Sequence, residues 1–189
     1  MNLKSVVAVA STLLLFGACA SVENRTGAEK FTYSQSDSDM AVIILSVGAA
    51  DKCISFVTRL KLLPAESPYS GRNLAYLPVD SYVVKSEYTD HHGYLHVLRL
   101  KPGSYYFTPH INNPALGITR AFRADFTVSR GEVVYLGNYY LHQACGYSSS
   151  GSFSDQSERD LALLRSKNPT LSQASIQKRI LRVTGQITF

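Results

Sequence analysis

The 189-residue chain has no tryptophan, two methionines and three cysteines, and only 17% of its residues are charged. No HExxH or CxxC spacing occurs, and no phosphate-binding glycine loop or dinucleotide fingerprint is present. The stretch GYSSSG at 146–151 departs from G-x-S-x-G and lacks the strand-to-helix elbow that exposes a nucleophile, so Ser149 reads as ordinary loop chemistry. His110 and His142 belong to no catalytic motif. No catalytic residue and no cofactor is therefore expected. Acidic residues are missing from 165 to 189, where Arg165, Lys167, Lys178, Arg179 and Arg182 fall. A solvated helix face explains that run; contact with anionic head groups or cell-wall carboxylates is the functional alternative. The N-terminal apolar run, Val6 to Phe16, is about 11 residues, too short for a helix to cross a hydrocarbon core of about 30 Å.

What is present begins at the N-terminus. A short start with Lys4 leads into that apolar run, then the small pair Gly17-Ala18, then Cys19. This is the layout of a bacterial secretory signal and not of a fold element. It resembles the lipoprotein class, in which the signal, here 1–18, is cut before a cysteine that then carries lipid. Phe16 stands where that class usually has Leu. A competing site, Ala18-Cys19-Ala20, has A-x-A spacing, and cutting there would release a soluble periplasmic protein beginning at Ser21. The resemblance implies a cell-envelope protein with a lipid anchor in the membrane. Because Ala20 and not Asp follows the cysteine, it implies the outer membrane, facing the periplasm. Nucleic acid is not an expected partner of an exported chain. Residues 19–39 then read as the lipidated cysteine and a flexible tether, polar, serine-rich and aperiodic, with too little apolar surface to offset its ordering entropy.

The chain as a whole is globular in composition: 45% hydrophobic, with 12 Tyr and 8 Phe, residues that favour strands. Its length suits one domain with a real core. Lipidation of Cys19 would leave Cys53 and Cys145 as an even pair in an oxidising compartment. A Cys53–Cys145 disulfide and two buried free thiols are both open readings.

Along 40–145 the pattern is strand after strand. MAVIILSV at 40–47 reads as a buried strand and CISFVTRLK at 53–61 as a second, with Ile54, Phe56 and Leu60 on one face. LLPAESPYSGRN at 62–73 reads as a loop, and 74–77 and 81–86 as short strands. YLHVLRLK at 94–101 ends at Pro102-Gly103, read as a type II turn, and SYYFTP at 104–109 resumes. RAFRADFTV at 120–128 alternates strictly, with Phe122, Ala124, Phe126 and Val128 on one side. Ser129-Arg130-Gly131 reads as a hairpin turn returning EVVYLGNYYL, 132–141, as the partner strand. Turn signals every 8 to 12 residues suggest a β-sandwich.

LRLKPGSYYF at 98–107 followed by FTVSRGEVVYLG at 126–137 resembles the second half of the transthyretin-like or carboxypeptidase-regulatory-like domains found in bacterial envelope lipoproteins. The resemblance covers 93–140 well and 40–92 loosely. It implies a mainly β fold, an antiparallel Ig-like/transthyretin-like β-sandwich. It carries no catalytic residue, so it implies no activity.

The segment 146–189 changes character. A Gly/Ser loop, 146–154, precedes an expected capping box, Asp155 with Glu158, and a helix to about Lys167. Asn168-Pro169 stops it, Leu171 to Leu181 reads as a second short helix, and 182–189 as a last strand. This helical appendage is expected to lie outside the sandwich.

Two candidate sites follow. Glu87, Asp90, His91, His92 and His96 supply metal-ligating groups near a turn, but adjacent His91 and His92 point apart if extended, so they are weak ligand candidates against a solvated turn. Tyr106, Tyr139 and Tyr140 are the candidates for an aromatic binding face, set against the reading that half the tyrosines are core. The expected function is a non-catalytic envelope lipoprotein whose sandwich binds or braces an envelope protein or cell-wall partner. The alternative is a small-ligand, glycan or metal-binding module, or an enzyme, using the 87–96 or 146–154 loops.

Overall fold

The computed structural model describes residues 26–34, 39–66, 74–111, 120–145 and 151–188. Cys19, the signal at 1–18 and the tether up to 25 lie outside them. One sheet runs β1 (Thr26–Gly27), β5 (His92–Leu100), β2 (Ala41–Ala49), β8 (Val133–Leu141) and β10 (Ile176–Lys178), and β9 (Gly151–Ser154) also pairs with β8. The other runs β11 (Gly185–Thr188), β7 (Arg120–Val128), β6 (Gly103–Ile111), β3 (Thr58–Pro64) and β4 (Ala75–Pro78). Helices α1 (Ser157–Lys167) and α2 (Pro169–Ser172) follow β9. The protein is mainly β.

β2 explains the layering. Every one of its nine residues is buried, so both faces of the strand need cover. Side chains alternate between faces. Ile43, Leu45 and Val47 pack with Leu60, Leu62, Phe107 and Phe126 of the second sheet. Val42 and Ile44 pack on the opposite side with Leu164 of α1, Leu171 of α2, and Ala28 and Phe31. The expected appendage is thus an integral third layer. Within 26–34, read as part of the tether, β1 extends the first sheet and 28–31 join that layer: Asn168 Nδ2 donates to the carbonyls of Ala28 and Phe31 at 3.0 and 2.6 Å.

The pairing differs from the expected antiparallel hairpins. β2 is antiparallel to β5 but parallel to β8, and β10 is also parallel to β8. The turn at 129–132 does not return β8 onto β7; it carries the chain from one sheet to the other, as does the turn at 101–102 between β5 and β6. A reversal of direction is local chemistry, whereas the choice of sheet is made by long-range burial. Further departures are local. Residues 53–57 and 81–86 form loops, with Cys53 and Ser81 joined by an isolated bridge. Gln156 and not Asp155 stands at the N-cap of α1, and Asp155 instead accepts from Ser157 N at 2.9 Å. α2 ends at Ser172, and the rest of the expected second helix gives β10.

One register shift sets the polar interior. Ile44 pairs with Tyr135 but Ser46 pairs with Asn138, so β8 carries one extra residue, at Leu136–Gly137. Gly137 supplies a φ of +100° there, a backbone state costly for other residues. The bulge flips the parity of everything after it: Asn138 joins Tyr135 and Ser46 on the helix side, and Tyr139 enters the core.

These groups surround Asp160 of α1, which is fully buried. Its carboxylate accepts from Tyr135 OH at 2.6 Å, Tyr88 OH at 2.9 Å and Arg159 Nε at 2.8 Å. The Ser46 hydroxyl lies 2.5 Å from Asp160 Oδ2 and 2.8 Å from Asn138 Oδ1, and its single proton serves one of them. Burial and the Asp160 charge push both tyrosine hydroxyls well above their usual range, so they stay neutral donors. Removing the carboxylate leaves a guanidinium and two tyrosine hydroxyls short of an acceptor, while Ser46 can still donate to Asn138. Asp160→Ala is expected to cost about 3–5 kcal/mol in urea unfolding; a loss below about 1 kcal/mol would show that the network does not hold α1 on the sheet.

Candidate functional site

The strand ends of β2, β4, β6 and β8 bring several loops to one end of the molecule. Two of them, 50–57 and 79–85, are welded together. Cys53 is bonded to Cys145, with Cα atoms 5.1 Å apart. Cys53 N donates to Asp80 O at 2.6 Å, and Tyr82 N donates to Cys53 O at 3.0 Å. The buried Asp80 carboxylate accepts from Thr58 N at 2.7 Å and Cys145 N at 2.8 Å, so it joins the start of β3, the loop after β8 and its own loop. Burial raises the Asp80 pKa, and those backbone N–H groups pull against it. From beneath, Tyr94 OH lies 2.8 Å from the carbonyls of both Ser81 and Val84, and His92 Nε2 lies 2.9 Å from Ser81 O.

This held framework presents apolar side chains to solvent. Ile54 is 81% exposed, Val83 73%, Tyr82 52% and Phe56 43%, with Val84 beside them. Among the described residues, Val183 is the one exposed large apolar residue outside these loops. Phe56 also has a φ of +57°, a left-handed backbone that is unfavourable for a bulky residue and free for glycine. A strained, exposed aromatic side chain on an anchored loop points to a contact surface. The alternation of Ile54 and Phe56 predicted a strand, and the pattern alone could not tell an exposed apolar loop from a buried strand.

The sequence-derived candidates lie elsewhere and do not converge. Tyr139 is fully buried and Tyr106 is 2% exposed. The β8 bulge turned the first inward; the Arg123 guanidinium lies over the second, 4.2 Å from its ring centre. Tyr140 is half-buried and meets the His91 ring edge-on. These three therefore do not form an exposed face. Among the described residues no group of three His, Cys, Asp or Glu side chains is placed to hold a metal. Glu87 accepts from Leu95 N at 2.6 Å and from Lys167 Nζ at 2.7 Å. His91 pairs with Asp90 at 2.7 Å, which holds the Asp90 carboxyl below the usual range. The His91 ring lies on the helix side of the sheet, where a Cβ on Gly48 or Gly93 would stand within 3 Å of it, and Tyr88 stacks on it at 4.6 Å. Arg159 in turn covers Tyr88 at 4.3 Å. His92 and His96 point to the other side of β5. Of the 146–154 loop, 151–154 form β9 and the rest lies outside the described residues.

A cleft of about 270 Å³ opens beside the loop pair, between the edge strand β4 and β5. Leu77, Pro78, Val84, Tyr94, Lys85 and His96 line it. His96 Nε2 is buried without a hydrogen-bond partner, and burial pushes this imidazole down to about 4. No helix of the described residues is long and apolar enough to cross a membrane. Comparison with protein families, with curated proteins and with solved structures finds no match for this chain.

Two measurements check this geometry. The Cys53–Cys145 bond spans 92 residues, so the double variant Cys53→Ser/Cys145→Ser is expected to lose about 4 kcal/mol of stability and to become open to protease at 54–57. His96 is neutral when folded and takes a proton at about 6.5 when unfolded. The unfolded chain therefore binds more protons between pH 4 and 6.5, and stability falls as pH drops through that window. Against wild type, His96→Leu is expected to flatten that fall by about 2–4 kcal/mol in denaturant titrations at the two pH values; parallel pH profiles would refute the assignment.

Proposed function

We propose that the protein is a non-catalytic lipoprotein of the bacterial cell envelope, anchored through Cys19, whose Ig-like or transthyretin-like β-sandwich binds an envelope partner through the stapled loop pair. The signal-like start, with Cys19 after Gly17-Ala18, supports the anchor. One observation carries the binding face: Ile54, Phe56, Tyr82 and Val83 are exposed on loops fixed by a disulfide, a bridge and a buried carboxylate. Pre-set loops bind at lower ordering cost than mobile ones. A non-catalytic role fits the bonding of Asp80, Glu87, His92 and Asp160, which are committed to structural bonds.

A photo-crosslinking residue at Val83 in intact cells is expected to capture an envelope component, lipid or protein, and one at Arg130, in the turn at the opposite end, is expected to capture none. Equal labelling at both positions would defeat the binding face. Intact mass of the mature protein checks the anchor: an acylated Cys19 supports it, and a free Ser21 removes it. The cleft beside the loops favours a second reading, a small-ligand module, in which Val84→Trp would fill the cavity and block uptake.

A further inference from the structure

We infer that the occupant of the stapled loop pair is the lipid bilayer that carries the anchor: Ile54, Phe56, Tyr82, Val83 and Val84 seat in its interfacial region, with Lys52 and Lys85 at the head groups. The inference rests on the lipid-anchored reading above and names the partner of that same face.

Reach is the first argument. Seven peptide steps separate Cys19 from Thr26, a span of at most about 25 Å. Thr26 is paired with Val97, and β5 begins at His92, at the end that carries the loops. Those five residues of strand rise about 17 Å. A lipid on Cys19 can therefore reach past the loop-bearing end of β5, and the chain keeps it within about 25 Å of Thr26.

Surface chemistry is the second. Tyr82 and Phe56 bring aromatic rings, and Ile54 and Val83 branched aliphatic side chains, the residue mix that partitions into the boundary between head groups and acyl chains. Lys52 and Lys85 are exposed at the margin, with Asp51 the one exposed carboxylate in the described loops 50–57 and 79–85. Long lysine stems can lie along the apolar surface while the ammonium reaches anionic head groups. A rigid base is the third. Insertion needs loops that hold their apolar tips outward in water, and the disulfide, the Asp80 bonds and the left-handed backbone at Phe56 do that.

The absence of tryptophan makes the test clean. Phe56→Trp and Arg130→Trp each create a single reporter in the full acylated protein, bound to phosphatidylethanolamine–phosphatidylglycerol vesicles containing acyl-brominated lipid. Trp at 56 is expected to shift to the blue and to lose at least about half its emission to the bromines, while Trp at 130 stays unquenched. Phe56→Gly, which suits the backbone at that position, is expected to keep the fold while lowering quenching of a reporter at Val83. Protein that floats with the vesicles but shows no quenching at 56, or equal quenching at 130, overturns the docking and leaves the anchor standing. Protein that lacks an acyl group at Cys19 overturns the anchor and, with it, this inference. A Val83 crosslink to a protein, with Trp at 56 unquenched, assigns the face to that protein instead.

Discussion

The fold depends on a strand that cannot tolerate water on either face. β2 is buried along its whole length, and the other elements are arranged to cover it: a second sheet on one side, α1, α2 and the segment at 28–31 on the other. A strand of this kind belongs with parallel neighbours covered on both faces, and β2 does lie parallel to β8. The helices at the C-terminal end are therefore as much a part of the interior as the second sheet. The polar cluster around Asp160 sits within that helix–sheet layer and ties α1 to the sheet beside the bulge in β8, because donors from β2, β8 and the loop before β5 meet on one carboxylate of the helix.

At the loop end the same logic runs in reverse. Polar groups are buried and apolar groups are exposed. Asp80, with no water to solvate it, collects backbone N–H groups from separate segments; Ile54 and Val83, with no core to enter, face solvent. Such an inversion is uneconomical in a purely structural region and is the expected mark of a surface shaped for contact.

Much of the fold was legible because its strands alternate or run apolar without a break. The strand expected at 120–128 is β7 residue for residue, and β2 and β8 shift by only one or two positions. Three things were hidden. The alternation of Ile54 and Phe56 follows strand period, yet it belongs to a loop whose backbone turns left-handed at Phe56. Counting by twos from Tyr135 puts Asn138 in the core and Tyr139 outside; one inserted residue at Gly137 reverses both, and a single glycine is its only trace in the sequence. The turns after Lys101 and Val128 were recognisable, but turn residues say nothing about which sheet the next strand joins. The candidate site was missed for the first of these reasons, and the tyrosine face was misplaced partly through the second.

The edges of the two sheets carry one more consequence. β1, β9, β10, β4 and β11, which border the long strands, run only two to four residues each. Open β-edges template pairing with other chains, and brevity is a common defence. β8 is protected along its flank by β10 over Val133–Tyr135 and by β9 over Asn138–Leu141, with the bulge between them. The border strands are thus each too short to offer another molecule a long pairing edge, and β9 and β10 between them cover most of the flank of β8.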